Sequence, residues 1–139
     1  MTDEILLDIV TPERLVFSDM VEQVTIPGSE GQFVVLKGHT PLLSFVDIGE
    51  LNLIKDGKRF YYAINTGYAE VASNKVTLLV ETAERADAID KERAQKARER
   101  AQAELSTMPP GGASASDDYE KLKAALMRAM ARLNVAGKI

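Results

Sequence analysis

The hydrophobic period of the chain changes once, near residue 83, and does not change back. Up to Ala83, short apolar runs alternate with polar residues and are broken by glycine, proline, aspartate and asparagine, the signature of closely spaced strands. From Glu84 the chain is rich in Ala, Lys, Arg and Glu at helical spacing, with one interruption from Thr107 to Ser116. A chain of 139 residues can bury one modest core and carry an appendage. The pattern therefore predicts a β body over residues 1–83 and a helical unit over 84–139.

Charge follows the same division. Residues 1–83 hold twelve acids and six bases, residues 84–105 six of each, and residues 117–139 three acids and five bases. An acidic body repels a phosphate backbone, so nucleic acid is not an expected partner. The chain has no cysteine, which removes disulfides, thiolate metal ligands and thiol nucleophiles and suits a reducing compartment. Asp3, Glu4 and Asp8 break up the first residues, and no apolar run approaches the length of a membrane span. Neither export nor direct membrane insertion is expected; association with a membrane would come through a partner.

Within the body, Ile5 to Val10 reads as the first strand, Leu15-Val16-Phe17 as a short second and Met20 to Ile26 as a third. The third places Met20, Val24 and Ile26 on one face and Val21, Gln23 and Thr25 on the other. Residues 27–31 read as a loop, and Phe33 to Leu36 as a strand buried on both sides. Leu42 to Val46 follows the turn Gly38-His39-Thr40-Pro41. Asp56-Gly57, between Leu51–Ile54 and Phe60–Ile64, is the strongest hairpin signal, because a type I′ turn needs positive φ at both central residues. A further hairpin is expected around Ser73-Asn74. Nine or ten short strands without an intervening helix predict an antiparallel sandwich of two sheets or a flattened barrel.

The helical unit reads as two helices, about 87–105 and 117–134, with the linker 107–116 between them. Asp87 is the expected cap of the first, with Asp90 favourable near its positive end. Ala94, Ala97, Ala101 and Leu105 form a narrow small-residue stripe. Glu92 and Lys96 are spaced for a surface ion pair. Ser116 or Asp117 would cap the second helix, whose seam is Tyr119, Leu122, Leu126, Ala129 and Leu133, broadened by Met130. Two short seams predict an antiparallel hairpin that is weak in isolation and suited to a two-state role.

Several ordered motifs carry a resemblance. Val10-Thr11-Pro12-Glu13, Val16-Phe17, Val21-Glu22-Gln23-Val24, Gly28-Ser29-Glu30-Gly31, Gly38-His39-Thr40-Pro41-Leu42, Gly67-Tyr68-Ala69-Glu70-Val71 and Ala83-Glu84-Arg85-Ala86 precede the helical hairpin. In this order the chain resembles the epsilon subunit of bacterial-type rotary F-type ATP synthases along nearly its whole length. Lys37 and Thr66 depart from the family pattern, which has proline before Gly-His and Gly-Gly before the tyrosine segment.

The resemblance implies a ten-stranded sandwich bound to the gamma subunit and the c-subunit ring, with Ser29, Glu30, Gly31, Gln32 and His39 at that interface. It implies a non-catalytic rotor subunit on the cytoplasmic side of the bacterial inner membrane. Its hairpin, when extended, reaches the alpha/beta hexamer and blocks hydrolysis. Ile89-Asp90-Lys91-Glu92-Arg93-Ala94 matches the pattern through which some members bind ATP, which adds Glu84, Ile89, Asp90, Arg93, Ala94, Arg100, Arg128 and Arg132 as candidate contacts. Four guanidinium forks suit polyphosphate oxygens. No cofactor is required, and ATP would act as a regulatory ligand.

Without the resemblance, the same helix reads as a solvated, ion-paired face. The lone His39 has no acidic or sulfur partner in sequence for a metal site and reads as a turn or interface residue. No phosphate-loop, nucleophile-elbow or zincin motif is present, so bound ATP would be a signal rather than a substrate. The alternatives to a rotor subunit are a free-standing ATP-sensing module and an enzyme with its site in the sandwich.

Overall fold

The protein was analysed as a computed structural model, which describes residues 3–108 and 116–138. Ten strands come first: β1 (Ile5–Val10), β2 (Leu15–Val21), β3 (Gln23–Gly28), β4 (Gly31–Val35), β5 (Leu42–Val46), β6 (Gly49–Lys55), β7 (Lys58–Ile64), β8 (Gly67–Ala72), β9 (Lys75–Val80) and β10 (Ala83–Arg85). A single 3-10 turn, Ala86–Ala88, leads to α1 (Lys91–Thr107) and then α2 (Ser116–Ala136). The expected linker lies, from residue 109 to 115, outside the described residues, as do the side chains of Ser116 and Asp117.

Hydrogen bonding follows one path, β10-β7-β6-β3-β5-β8-β9-β1-β2, with β4 on the free side of β3. The path folds over at β3 and β5, which share only the pair Gly28↔Val46. Two layers result, one of β10, β7, β6, β3 and β4, the other of β5, β8, β9, β1 and β2. Between them lies a core that includes Ile5, Leu7, Ile9, Val24, Ile26, Leu51, Leu53, Val76 and Leu78, all at most 1% exposed. Two layers of alternating side chains enclosing an apolar centre is the sandwich that the strand spacing predicts. One pairing departs from the antiparallel expectation: β1 runs parallel to β9. The first strand is inserted between β9 and its own hairpin partner β2, and the whole intervening chain serves as the crossover that a parallel pair requires.

Three local expectations are corrected. The second strand does not stop at Phe17; it runs unbroken to Val21, and the chain turns at Glu22, whose N–H donates to the Ile54 carbonyl at 2.7 Å. The break resets the alternation, so Val21 is buried while Met20 is 41% exposed, the reverse of a continuous Met20–Ile26 strand. The loop expected at 27–31 is a two-residue turn, with β3 paired to β4 through Gly28↔Gly31. Phe33 to Leu36 is not buried on both sides. Val35 points into the core, but Val34 and Leu36 point outward, because β4 is an edge strand with one covered face. The two tight turns form as expected, with positive φ at Asp56 and Gly57 (51° and 76°) and at Ser73 and Asn74 (53° and 60°).

The helices fold back together and dock on the sandwich through α2, which packs on β6 and β7. Docking buries a second, smaller cluster of Ala63, Ala86, Ile89, Val135 and Ala136, with Tyr61 against it. Successive residues on β7 therefore divide their duties, Tyr62 and Ile64 filling the sandwich and Tyr61 and Ala63 receiving the arm. Met130 does not broaden the seam: it is 46% exposed, whereas Ala129 beside it is fully buried.

Candidate functional site

The joint between sheet and arm is built by local chemistry on both sides of residue 90. Asp90, not Asp87, caps α1: its carboxylate accepts from the Arg93 N–H at 3.1 Å, and Lys91 is the first helical residue. Asp87 is held back in the 3-10 turn by Arg85, whose guanidinium Nε donates to it at 2.8 Å while the ring of Phe60 lies under the same guanidinium. The Arg85 hydrogen bond holds the Asp87 carboxyl below the ordinary carboxylate range. Ile89, buried beside Val135 and Ala136, pins the start of α1 to the end of α2.

A cleft of about 550 Å³ opens along this joint, lined by Glu84, Ala88, Asp90, Arg93, Ala94, Lys96, Ala97, Arg100 and Arg132. Its size is within the range of small-molecule sites. Four cations face two carboxylates, a net positive lining. Arg132 donates from Nε to Glu84 Oε1 at 2.6 Å, tying α2 to β10 across the cleft wall. Both partners are about one-third exposed, so this pair contributes about 0–1 kcal/mol to docking.

Of the residues singled out in sequence, Glu84, Asp90, Arg93, Ala94, Arg100 and Arg132 meet in the cleft. Two do not. Ile89 faces the small apolar cluster instead. Arg128 lines a shallow depression with Asn65, Thr82 and Ala131 that adjoins the cleft on the far side of Glu84 and Arg132, which line both. One helical turn between Arg128 and Arg132 is enough for Arg132 to lie between the cleft and Arg128. Lys96 supplies the fourth cation in its place. It was legible only as the partner of Glu92, to which it lies 3.6 Å away in the expected i,i+4 ion pair.

The candidate interface residues are strung along the β4 edge. Ser29 and Glu30 form the exposed turn before it, Gly31 and Gln32 begin it, and His39 lies beyond its other end. His39 Nδ1 is 2.6 Å from the Thr40 carbonyl, and the neighbouring Gly38 N–H donates to Asn74 Oδ1 at 2.9 Å. The first contact is local, and the second ties this turn to the Ser73-Asn74 turn. Among the described residues no cluster of three His, Cys, Asp or Glu side chains could hold a metal ion.

A surface that sequence reasoning missed lies on the outside of the second layer. The registers Phe45↔Tyr68, Tyr68↔Leu79, Val10↔Leu79 and Val10↔Leu15 place five apolar residues in one row across β5, β8, β9, β1 and β2. Phe45, Tyr68, Leu79 and Leu15 are each at least half exposed, and the Phe45 and Tyr68 rings are 5.2 Å apart. Grooves of about 410 and 390 Å³ flank Tyr68, with Asp47 and Glu81 at their rims. Only the cross-strand register brings these five residues together. The row lies on the opposite side of the sandwich from the arm.

The fold and its cleft define a class: a two-layer sandwich with a docked helical arm, a basic cleft at the joint and an apolar face turned away from it. Comparison narrows this. The family profile described as ATP synthase, Delta/Epsilon chain, beta-sandwich domain matches residues 4–86, and that described as ATP synthase, Delta/Epsilon chain, long alpha-helix domain matches residues 87–137. The chain is 47% identical to the ATP synthase epsilon chain of Geobacter metallireducens over 138 residues, covering 99% of this chain and 97% of that one. It is 45% identical to the ATP synthase epsilon chain of Nitratidesulfovibrio vulgaris over 131 residues, 94% of each. In fold it is similar to a chain of the Euglena gracilis mitochondrial ATP synthase, with a TM-score of 0.81 and 24% identity over 98% of this chain and 82% of that one. The chain belongs to the ATP synthase epsilon chain family.

Proposed function

We propose that the chain is a non-catalytic central-stalk subunit of a proton-translocating ATP synthase, peripheral to the cytoplasmic face of the membrane. Its sandwich joins the gamma subunit to the c-ring, and its arm regulates hydrolysis. The apolar row Phe45–Tyr68–Leu79–Val10–Leu15 supplies the gamma contact, since an exposed row of this kind suits a permanent partner better than a free-standing sensor. The β4 edge, with the Ser29-Glu30 turn, meets the ring. No described helix is long and apolar enough to cross a membrane, so the ring supplies the membrane attachment in this reading.

The arm has two states in this reading. Docked, as observed, it leaves rotation free; extended, it reaches into the alpha/beta hexamer and blocks rotation in the hydrolysis direction. ATP favours the docked state. The observation that supports this is the make-up of the cleft: Glu84 comes from β10, Asp90, Arg93, Lys96 and Arg100 from α1 and its cap, and Arg132 from α2. Such a site is assembled only when the arm is docked. A polyphosphate there would take charge-assisted bonds from Arg93, Lys96, Arg100 and Arg132. Glu84 and Asp90 would accept from the ribose or adenine. Because it binds the docked state alone, ATP would stabilise that state by mass action.

Reconstitution tests the assignment. An ATP synthase assembled with the full chain should hydrolyse ATP more slowly than one assembled with residues 1–85 only, and the two should contain equal amounts of the chain. Equal hydrolysis would remove the regulatory role, and failure of residues 1–85 to join the gamma subunit would remove the anchoring role of the sandwich.

A further inference from the structure

Arg98 has no place in the cleft, and its position in α1 is unusual for an arginine. Among the described residues, α2 is the one element with which α1 makes extensive contact, and the face it turns there carries Ala94 and Ala101, 3% and 4% exposed. Arg98 is on that same stripe, four residues after Ala94 and three before Ala101. Arg93, Lys96, Ala97 and Arg100 fall on the cleft flank of the seam, and helical spacing puts Arg98 on the other flank. The residue as a whole is partly exposed, yet its Nε is fully enclosed and has no hydrogen-bond partner among the described residues.

We propose that Arg98 is a built-in weakness of the folded arm. Its stem fills the seam between two alanines and its terminal nitrogens reach the edge, as long cationic side chains do. Its Nε–H is then held away from water without an acceptor, which disfavours the closed hairpin relative to any state in which α1 and α2 separate. Separation restores water to that group and returns the penalty. The consequence for regulation rests on the two-state reading of the arm given above: a hairpin made marginal at Arg98 can be shifted by a ligand of modest affinity, whereas a fully satisfied seam would stay closed.

Two substitutions isolate the atom. Arg98→Lys puts a methylene where Nε stands and keeps a cationic head at the edge; Arg98→Met removes the charge as well. Arg, Lys and Met have nearly equal helix propensity, so neither change alters α1 by itself. Measured by hydrogen exchange on the isolated full chain, both should raise the protection of the α1 amides between Ala97 and Ala101 about tenfold. Unchanged or lower protection in both overturns the proposal. A rise with methionine alone also overturns it, by placing the penalty in the charge rather than in Nε.

Failure of the lever reading would look different. With protection raised, ATP synthase assembled with either variant should be less inhibited in hydrolysis. Unchanged inhibition would remove the lever while leaving the strain at Arg98 in place.

Discussion

Val135 is the larger of the two fully buried side chains that α2 brings to the docked joint. It is fully buried, and its partners Ala63 and Ala86 belong to the sheet and the 3-10 turn, so its burial exists only when α2 rests on β7. Val135→Ala removes two methyl groups at about 0.8 kcal/mol each, or about 1.6 kcal/mol of docking energy. The polar ties across the same joint are weaker: Glu84–Arg132, Glu50–Asn134 at 3.4 Å and Glu50–Lys138 at 3.9 Å are partly or largely exposed. The ratio of open to docked arm should therefore rise roughly 10- to 30-fold.

An undocked α1 is a marginal helix rich in trypsin sites (Lys91, Arg93, Lys96, Arg98 and Arg100), so its cleavage rate tracks the open fraction. Cleavage within α1 should accelerate by that factor while the sandwich melts at an unchanged temperature. ATP at about 15 times its dissociation constant should reverse the effect, since ligand at that excess returns about 1.6 kcal/mol. Cleavage at the parental rate, or loss of sandwich stability in parallel, would refute the claim that Val135 holds a separable arm.

Asp90→Ala removes the cap of α1, and about 0.5–2 kcal/mol of helix stability should go with it, seen as faster exchange of the first α1 amides without change in the β amides. Gly67→Ala would place a Cβ 1.9 Å from the Leu79 carbonyl oxygen, so β8 and β9 must part, costing about 1–3 kcal/mol in chemical unfolding and, under the proposed gamma contact, weakening it through the displaced Tyr68. Lys55, through its hydrogen bond across β2 and β6, holds the Asp19 carboxyl below its ordinary value. The resulting stability is complete above the unfolded carboxylate pKa of about 4 and is lost as pH falls through the lower folded value, so an Asp19→Asn sandwich should lose less melting temperature below about pH 4 than the parent.

Most of the fold was legible because local signals agreed with it. The Asp56-Gly57 and Ser73-Asn74 turns, the alternation in β1 and β9 and the helical spacing after Lys91 each act within a few residues. What was not legible depended on pairings distant in sequence. Nothing near Ile5 indicates that β1 runs parallel to β9, and nothing near Glu22 shows that the Ile54 carbonyl will take its N–H and end the strand there. The cleft divides in the same way. Asp90, Arg93 and Arg100 follow from the face of a single helix, whereas the placing of Arg128 beyond Arg132 and of Ile89 in the apolar cluster depends on how α2 docks on the sandwich. Lys96 looked spent on Glu92, and the apolar row across five strands has no sequence signature at all.

The claim that a nucleotide holds the arm on the sandwich is tested most directly by one distance. The chain has no cysteine, so labels at Glu70→Cys and Lys123→Cys, two exposed positions on the body and on α2, are specific. The separation of these labels, followed in the isolated chain as ATP is added, should show two populations, the docked one growing saturably at the expense of the other. A distance distribution that stays the same from zero to millimolar ATP would contradict the account.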